Sequence, residues 1–141
     1  MKIKGWIVAL AAMFFAVPGG ASAAIVAKVD LSTQRMTVSV DGVTRYVWAV
    51  STARRGYVTP VGSFRAQRME RIWYSSKYDN APMPNSVFFL GGYAIHGTNA
   101  VWSLGRPASH GCIRLAPGNA ALFYSLVRAH GMGASRIIVS Y

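Results

Sequence analysis

The chain has 141 residues, a formal net charge of +11 and a single cysteine. This length allows one domain around one hydrophobic core and leaves no room for a second domain of ordinary size. One cysteine excludes a fold that is braced by disulfides within the chain.

The N-terminus has the three parts of a secretory signal peptide. Two lysines precede an apolar run, and the small residues Ala21, Ser22 and Ala23 follow it. The run has roughly a dozen residues, short of the ~20 that a membrane span needs. Residues 1–23 are therefore predicted to be a cleaved signal peptide, with a retained membrane anchor as the alternative. Residues 24–141 would be the mature domain, with no transmembrane span after cleavage.

The mature chain opens with the pattern of a β meander. The runs at 25–30 and 35–40 are short and rich in β-formers, and Asp41-Gly42 separates the second run from a third at 43–51. Asp-Gly between two such runs is typical of a tight hairpin, because the turn needs positive φ at its central residues. We predict a hairpin at this position.

The middle of the chain alternates between predicted loops and strands. Residues 52–62 are rich in turn formers, and a strand-like run with several arginines covers 63–74. The segment 75–85 contains two prolines and is predicted to be a loop that could fold over a site as a lid. Residues 86–92 and 93–97 are predicted to be two further strands.

Only 117–131 has a helical pattern, with Pro117 suited to the first turn and Gly131 to the C-terminal stop. His130 at the end of this helix is interpreted as a structural residue near the terminal carbonyls. Residues 136–141 form a last predicted strand. The predicted fold is a small, mainly β, mostly antiparallel domain with one principal C-terminal helix.

The positive charge indicates an anionic partner. Without the two signal-peptide lysines, the mature chain has 13 basic residues against 4 acidic ones, a net charge of +9. The basic residues form neither a continuous block nor the alternation with aromatic residues that marks a nucleic-acid groove. A carboxylate-bearing polymer is therefore the expected partner, and nucleic acid is not.

The cysteine, Cys112, lies in the stretch SHGCIRL at 109–115. In an exported chain a lone thiol is a buried spectator, half of an intermolecular bridge or a reactive group. A nucleophilic thiol needs a nearby base, and His96 at a predicted strand end and His110 in a glycine turn can supply one. The combination favours a catalytic thiol.

No acidic residue follows Asp79, so an imidazole would be oriented by a backbone carbonyl near Gly97 or by the Thr98 hydroxyl. Gly111 would let the backbone approach a substrate, and the N–H groups of Gly111 and Cys112 could form an oxyanion hole.

Two other uses of these residues fit less well. Zinc could be held by His96, His110 and Cys112, but structural zinc sites need four protein ligands and catalytic sites a supporting acid. A papain-type hydrolase would place the cysteine near the mature N-terminus, before the histidine, and here a histidine precedes it. No metal and no cofactor is expected.

Residues 96–115, HGTNAVWSLGRPASHGCIRL, resemble the signature of the L,D-transpeptidase (YkuD-type) catalytic domain. Residues 51–64, STARRGYVTPVGSF, resemble that family's upstream Thr-Pro-x-Gly-x-Phe segment. The motifs occur in the family's order along the mature chain. The resemblance implies a β-sandwich-like domain that is secreted to the bacterial periplasm or cell envelope and acts in cell-wall biogenesis.

The resemblance also implies roles for the site residues. Cys112 would be the nucleophile and His96 its base, while many members have Asn where this chain has Arg114. The residues implied to shape the pocket, the turn and the oxyanion site are His110, Ser109 and Gly111. Those expected to contact the substrate are Arg114, Arg106, Gly97 and Thr98.

The implied reaction is acyl transfer on peptidoglycan stem peptides. The thiolate would attack the diaminopimelate carbonyl of a tetrapeptide stem, release D-Ala and pass the acyl group to the diaminopimelate amine of a second stem. A lysine amine of an envelope lipoprotein or outer-membrane protein is an alternative acceptor, and water would make the protein an L,D-carboxypeptidase. A non-catalytic peptidoglycan-binding envelope protein is the rival from another class.

Overall fold

A computed structural model describes residues 23–141, so nearly all of the predicted signal peptide lies outside the described residues. The strands, in chain order, are β1 Ile25–Asp30, β2 Arg35–Val40, β3 Val43–Ala49, β4 Gly62–Arg65, β5 Arg68–Glu70, β6 Tyr74–Ser75, β7 Ala81–Pro82, β8 Ser86–Leu90, β9 Tyr93–Gly97, β10 Ile113–Leu115 and β11 Ser135–Ser140. The α-helix is α1 Pro117–His130, and short 3-10 helices cover Val101–Ser103 and Met132–Ala134.

The first sheet has five strands in the order β3-β2-β1-β11-β4. The predicted hairpin joins β2 to β3, with positive φ at both Asp41 (48°) and Gly42 (80°). Burial alternates along β1, where Ile25, Ala27 and Val29 are buried, because successive side chains of a strand point to opposite faces. β1 and β11 are parallel, a pairing between the two ends of the described chain that local pattern did not predict.

The second sheet has four strands in the order β10-β9-β8-β5, and β9 and β10 are parallel. One of its faces packs on the first sheet, and the core residues it contributes are Val87, Phe89, Ile95, Ile113 and Leu115. The opposite face carries Phe88 and Ala94, which pack with Met83, Trp73 and Cys112 in a smaller cluster. The two sheets therefore form the predicted sandwich-like core. The other face of the second sheet is not covered by the first sheet and can form a site.

Helix α1 is held by packing more than by its ends. It buries Ala120, Phe123, Tyr124 and Val127 in the main core, and each large apolar side chain so buried stabilises the fold by about 1.5–3 kcal/mol. Its N-terminus has no side-chain cap. At the other end the ring Nδ1 of His130 lies 2.9 Å from the Leu126 carbonyl oxygen, the structural position expected for this histidine.

The predicted single strand at 63–74 is wrong in detail. β4 pairs with β11 in the first sheet, β5 pairs with β8 in the second, and buried Ala66 lies where the chain crosses between them. Alternation of polar and apolar residues indicates a strand but not its partner, so the crossing is invisible in the sequence. Within residues 23–141, no helix combines the length and apolar character that crossing a membrane would require.

Candidate active site

A cavity of about 730 Å³ lies over the free face of the second sheet. Its walls come from that sheet, from the segment 75–83 and from the turn that carries the cysteine. The predicted site residues that line it are Cys112, His96, His110, Ser109, Thr98 and Arg114. The structure thus brings the thiol and two of the three histidines to one cavity, and the segment expected to be a lid forms part of its wall.

Strand register places the thiol and the imidazole on the same face. His96 on β9 is opposite Arg114 on the neighbouring parallel strand β10, and Cys112 comes two residues before Arg114. Because side chains alternate along a strand, Cys112 and Arg114 share the cavity face while Ile113 and Leu115 point into the core. The sequence motif thereby becomes a cluster of neighbouring side chains.

His96 is buried, with 5% of its surface exposed, and its Nδ1 lies 2.7 Å from the Gly97 carbonyl oxygen. A carbonyl only accepts, so Nδ1 donates this hydrogen bond and Nε2 keeps a free lone pair. Burial lowers the pKa of His96 to about 4; the Gly97 hydrogen bond opposes this shift and the Arg114 charge adds to it. His96 is therefore a neutral imidazole at neutral pH. Of the two acceptors that the sequence suggested, the Gly97 carbonyl orients the ring and the Thr98 hydroxyl does not.

Cys112 is partly buried, and its thiol donates to the Gly92 carbonyl oxygen at 3.7 Å. Burial raises the pKa of the Cys112 thiol, and the Ala94 backbone N–H and the Arg114 charge oppose this only partly. The resting site therefore holds a neutral thiol beside a neutral imidazole. Both shifts disfavour a preformed thiolate–imidazolium pair.

Ser109 fixes the turn before the thiol. Its Oγ donates to the Cys112 carbonyl at 2.6 Å and accepts from the Gly111 N–H at 3.0 Å. At Gly111 φ is +138°, and a Cβ there would lie 2.6 Å from Tyr93 Cε1 and 2.8 Å from the Val58 oxygen. Glycine is required because the backbone passes close to Tyr93 and Val58, and not because it must approach a substrate. The Gly111 N–H is already bonded to Ser109. Of the two predicted oxyanion donors, this leaves the Cys112 N–H as the candidate.

Thr59 supports the same turn and is a residue that motif reasoning did not assign. It is 3% exposed; its Oγ1 donates to the Gly111 carbonyl at 2.9 Å and accepts from the Ala53 N–H at 3.0 Å. The Thr-Pro-x-Gly-x-Phe segment was the available signal. Its threonine ties the loop 52–61 to the cysteine turn.

His110 contacts aromatic side chains. Its ring stacks on Tyr78 with centroids 4.0 Å apart and planes 13° apart, and Tyr57 meets it edge-on at 4.7 Å. Partial burial, with the charges of Arg54 and Arg114, lowers the pKa of His110. This histidine therefore joins the cysteine turn to the segment 75–83.

The residues expected to bind substrate divide into two pairs. Arg114 and Thr98 line the cavity, and Thr98 Oγ1 accepts from the Ala100 N–H at 3.0 Å. Gly97 and Arg106 do not line it. A Cβ on Gly97 would lie 3.2 Å from that of Ala120, so this glycine lets β9 pack on α1, and Arg106 is exposed beyond the cavity.

Nothing in the described part of the chain groups three or more histidine, cysteine, aspartate or glutamate side chains so that they could hold a metal ion. The chemistry that the site offers is that of a thiol, a neutral base and cations. The lining contains Arg68, Lys77 and Arg114 but no aspartate or glutamate, so the cavity suits an anionic ligand.

Residues 24–139 match the family YkuD, described as the L,D-transpeptidase catalytic domain. The chain is 30% identical over 118 residues to L,D-transpeptidase 1 of Mycobacterium tuberculosis, an alignment that covers 74% of this chain and 47% of that protein. The chain thus spans about half the length of the curated relatives it matches.

Two solved structures are similar to the fold. An L,D-transpeptidase from Mycobacterium smegmatis has a TM-score of 0.75 at 27% identity, covering 84% of this chain and 59% of that one. L,D-transpeptidase 3 from Mycobacterium tuberculosis, in complex with a faropenem-derived adduct, has a TM-score of 0.71 at 27% identity, covering 84% and 60%.

Proposed function

The chain belongs to the YkuD family of L,D-transpeptidase catalytic domains, and from that premise we propose that it transfers acyl groups between peptidoglycan stem peptides through a thioester on Cys112. The observation that carries the proposal is the shared cavity of Cys112 and His96, in which the imidazole presents a free Nε2. Binding alone needs neither a thiol nor an oriented base.

In the first step a tetrapeptide stem binds with its diaminopimelate carbonyl next to Cys112. The thiol proton moves to Nε2 of His96 as the sulfur forms a bond to the carbonyl carbon. Because both groups begin uncharged, this proton transfer accompanies the attack. The Cys112 N–H donates to the developing oxyanion.

Collapse of the tetrahedral intermediate breaks the bond to D-Ala and leaves the thioester. The protonated His96 gives its proton to the departing amine. Burial makes His96 a weak base, and for the same reason its imidazolium is a strong acid, so protonation of the leaving group is favoured.

In the second step an amine attacks the thioester and gives a proton to His96. The sulfur departs, and His96 passes that proton to it, which restores the neutral thiol and the neutral imidazole. The proposed acceptor is the diaminopimelate amine of a second stem. A lysine amine of an envelope lipoprotein or outer-membrane protein and water are the alternatives, and each leaves a different product from one acyl-enzyme.

Several features of the chain support this setting. Arg114 lies two residues beyond the nucleophile on the cavity face, where a guanidinium can pair with a stem carboxylate. The signal-peptide pattern at 1–23 suits an exported enzyme, so we place its action in the periplasm or cell envelope.

The test is intact-mass spectrometry of residues 24–141 with a diaminopimelate-containing tetrapeptide, beside Cys112→Ala and His96→Ala. We expect D-Ala release and a thioester mass on the unmodified protein only, and the final product identifies the acceptor. A parallel incubation with faropenem, whose adduct is seen on the similar L,D-transpeptidase 3, reports whether Cys112 is reactive.

If the folded, reduced protein forms the faropenem adduct but releases no D-Ala, the donor is not this stem. If neither reaction occurs while the stem still binds, acyl transfer is wrong. The non-catalytic peptidoglycan-binding protein would then be the better description.

A further inference from the structure

One row of residues crosses the whole second sheet beneath the cavity. Arg68 on β5 is opposite Phe88 on β8, and Phe88 is opposite Ala94 on β9. The parallel register of β10 with β9 places Cys112 level with Ala94. The sheet therefore connects an arginine at one edge to the thiol at the other.

The guanidinium of Arg68 is held in place by two aromatic rings. Its Cζ lies 3.9 Å from the ring centroid of Phe88 and 4.4 Å from that of Trp73, and all three residues line the cavity. The two rings are nearly perpendicular, 83° apart, so the planar group can lie flat on only one of them; together they fix its position, and its remaining N–H groups can donate to an anion. Arg68 is thus oriented before any ligand arrives.

The acidic neighbour of Arg68 does not satisfy it. Glu70 Oε1 is 3.8 Å from Arg68 Nη1, which is longer than a hydrogen bond, and both side chains are more than one third exposed. Ion pairs of this kind contribute little. Because no acidic side chain lines the cavity, the N–H groups of Arg68 are available to a ligand carboxylate.

The separation along the row fits one part of the proposed donor. Three strand spacings of about 4.8 Å put the Arg68 and Cys112 backbones about 14 Å apart, and the guanidinium reaches back by one spacing to lie over Phe88, which leaves about 10 Å. In diaminopimelate, six single bonds of about 1.5 Å join the reacting carbonyl carbon to the carboxyl carbon at the far end of the side chain. Extended, they span about 7.5 Å, and paired carboxylate and guanidinium carbons add about 4 Å. The total reach of about 11.5 Å slightly exceeds the gap of about 10 Å, so the side chain can bridge it without full extension.

We propose that Arg68 is a specificity-determining residue that binds the carboxylate at the far end of the donor's diaminopimelate side chain. This inference rests on the proposed function. It separates two cationic positions: Arg114 lies beside the nucleophile, and Arg68, in contact with Phe88 and Trp73, marks the far end of the diaminopimelate.

The experiment measures binding by calorimetry to the Cys112→Ala protein, in which nothing can be acylated. The ligands are two tetrapeptide stems that differ only in whether the distal carboxyl of diaminopimelate is free or amidated. We expect the free acid to bind about tenfold more tightly, since a hydrogen-bonded charge pair is lost in the amide.

Adding Arg68→Gln should remove this preference while leaving the affinity for the amidated stem nearly unchanged, which also shows that the cavity is intact. Arg68→Lys keeps the charge without the planar fork and should give an intermediate preference. Arg65→Gln, at an exposed arginine of β4 outside the cavity, is the matched control and should keep the full preference.

Equal affinities for the two stems in the parent protein, no binding of either, or a preference that survives Arg68→Gln would overturn the inference. D-Ala release by the protein with Cys112 intact is measured separately. D-Ala release without an Arg68-dependent preference retains the proposed function and rejects this subsite. An Arg68-dependent preference without D-Ala release retains the subsite and rejects the proposed acyl transfer.

Discussion

At the scale of single residues, the site differs from a thiol enzyme that keeps its nucleophile charged. Burial raises the pKa of Cys112 and lowers that of His96, so the two shifts act together against a resting ion pair. The Arg114 charge favours the thiolate and also disfavours a protonated His96. The thiol is therefore activated by proton transfer during attack.

This arrangement predicts the pH dependence of alkylation by iodoacetamide, which reports the thiolate fraction. We expect the rate at Cys112 to rise continuously from about pH 5 to pH 8 with no plateau, because the raised pKa keeps the thiol protonated. His96→Ala should leave that profile unchanged while abolishing D-Ala release. Release by the intact enzyme should fall only as the pH drops toward about 4, where His96 gains a proton.

The single cysteine makes the measurement unambiguous, and Cys112→Ala gives the background. An alkylation plateau on the acidic side that disappears in His96→Ala would mean that the two side chains form an ion pair at rest. The neutral-pair mechanism would then be wrong.

At the scale of elements, the loop 52–61 holds in place the cysteine turn, which is distant from it in sequence. Thr59 Oγ1 bridges the Ala53 N–H and the Gly111 carbonyl. Valine has nearly the same shape as threonine but carries a methyl group in place of this hydroxyl. In Thr59→Val both backbone groups lose their partner, the Gly111 carbonyl in a buried place and the Ala53 N–H in a partly buried one. We expect unfolding free energy to fall by about 2–4 kcal/mol in urea titrations, since each unsatisfied buried group costs about 1–3 kcal/mol.

Faropenem acylation of Cys112 should slow in the same variant, because the turn that aims the thiol loosens. Thr59→Ser keeps both hydrogen bonds and should restore most of the stability and rate. Thr44→Val on exposed β3 is the control and should change stability by no more than about 0.5 kcal/mol. Equal stabilities of Thr59→Val and Thr44→Val would show that the bridge contributes nothing.

The elements that the sequence predicted well are those whose signals are local. Asp41-Gly42 specifies a hairpin through its own backbone preference, and Pro117 and Gly131 bound the helix. β10, three residues between a glycine turn and a proline, was not predicted, because so short a run has no period to detect. The crossing at Ala66 was missed because it depends on pairing with partners that are distant along the chain.

At the scale of the whole molecule, the site residues also divide into those that a local motif predicts and those that only distant strand pairing reveals. The thiol, the two histidines and the serine turn followed from a continuous motif, and the structure places all four in one cavity. Gly97 and Arg106 lie inside that motif, but one serves packing and the other is exposed. Arg68 enters the site only through the register of β5, β8 and β9, so no motif could have identified it.

Charge is the other property of the whole molecule that bears on substrate binding. Residues 24–141 have a net charge of +9, and three of their cations, but no acidic side chain, line the cavity. Attraction of an anionic stem should therefore depend on ionic strength, since the screening length falls from about 30 Å at 0.01 M salt to about 10 Å at 0.1 M. We expect kcat/KM for D-Ala release to fall several-fold over this range with kcat nearly constant.

A stem peptide with all its free carboxyls amidated provides the control for this salt effect, because it presents no anion to the domain. Its kcat/KM should change little over the same salt range. If both stems respond equally, salt acts on the enzyme and not on the encounter, and the excess of positive charge serves some purpose other than substrate capture. If only the acidic stem responds, the field of the whole domain concentrates carboxylates at the cavity, and Arg68 and Arg114 determine where they bind.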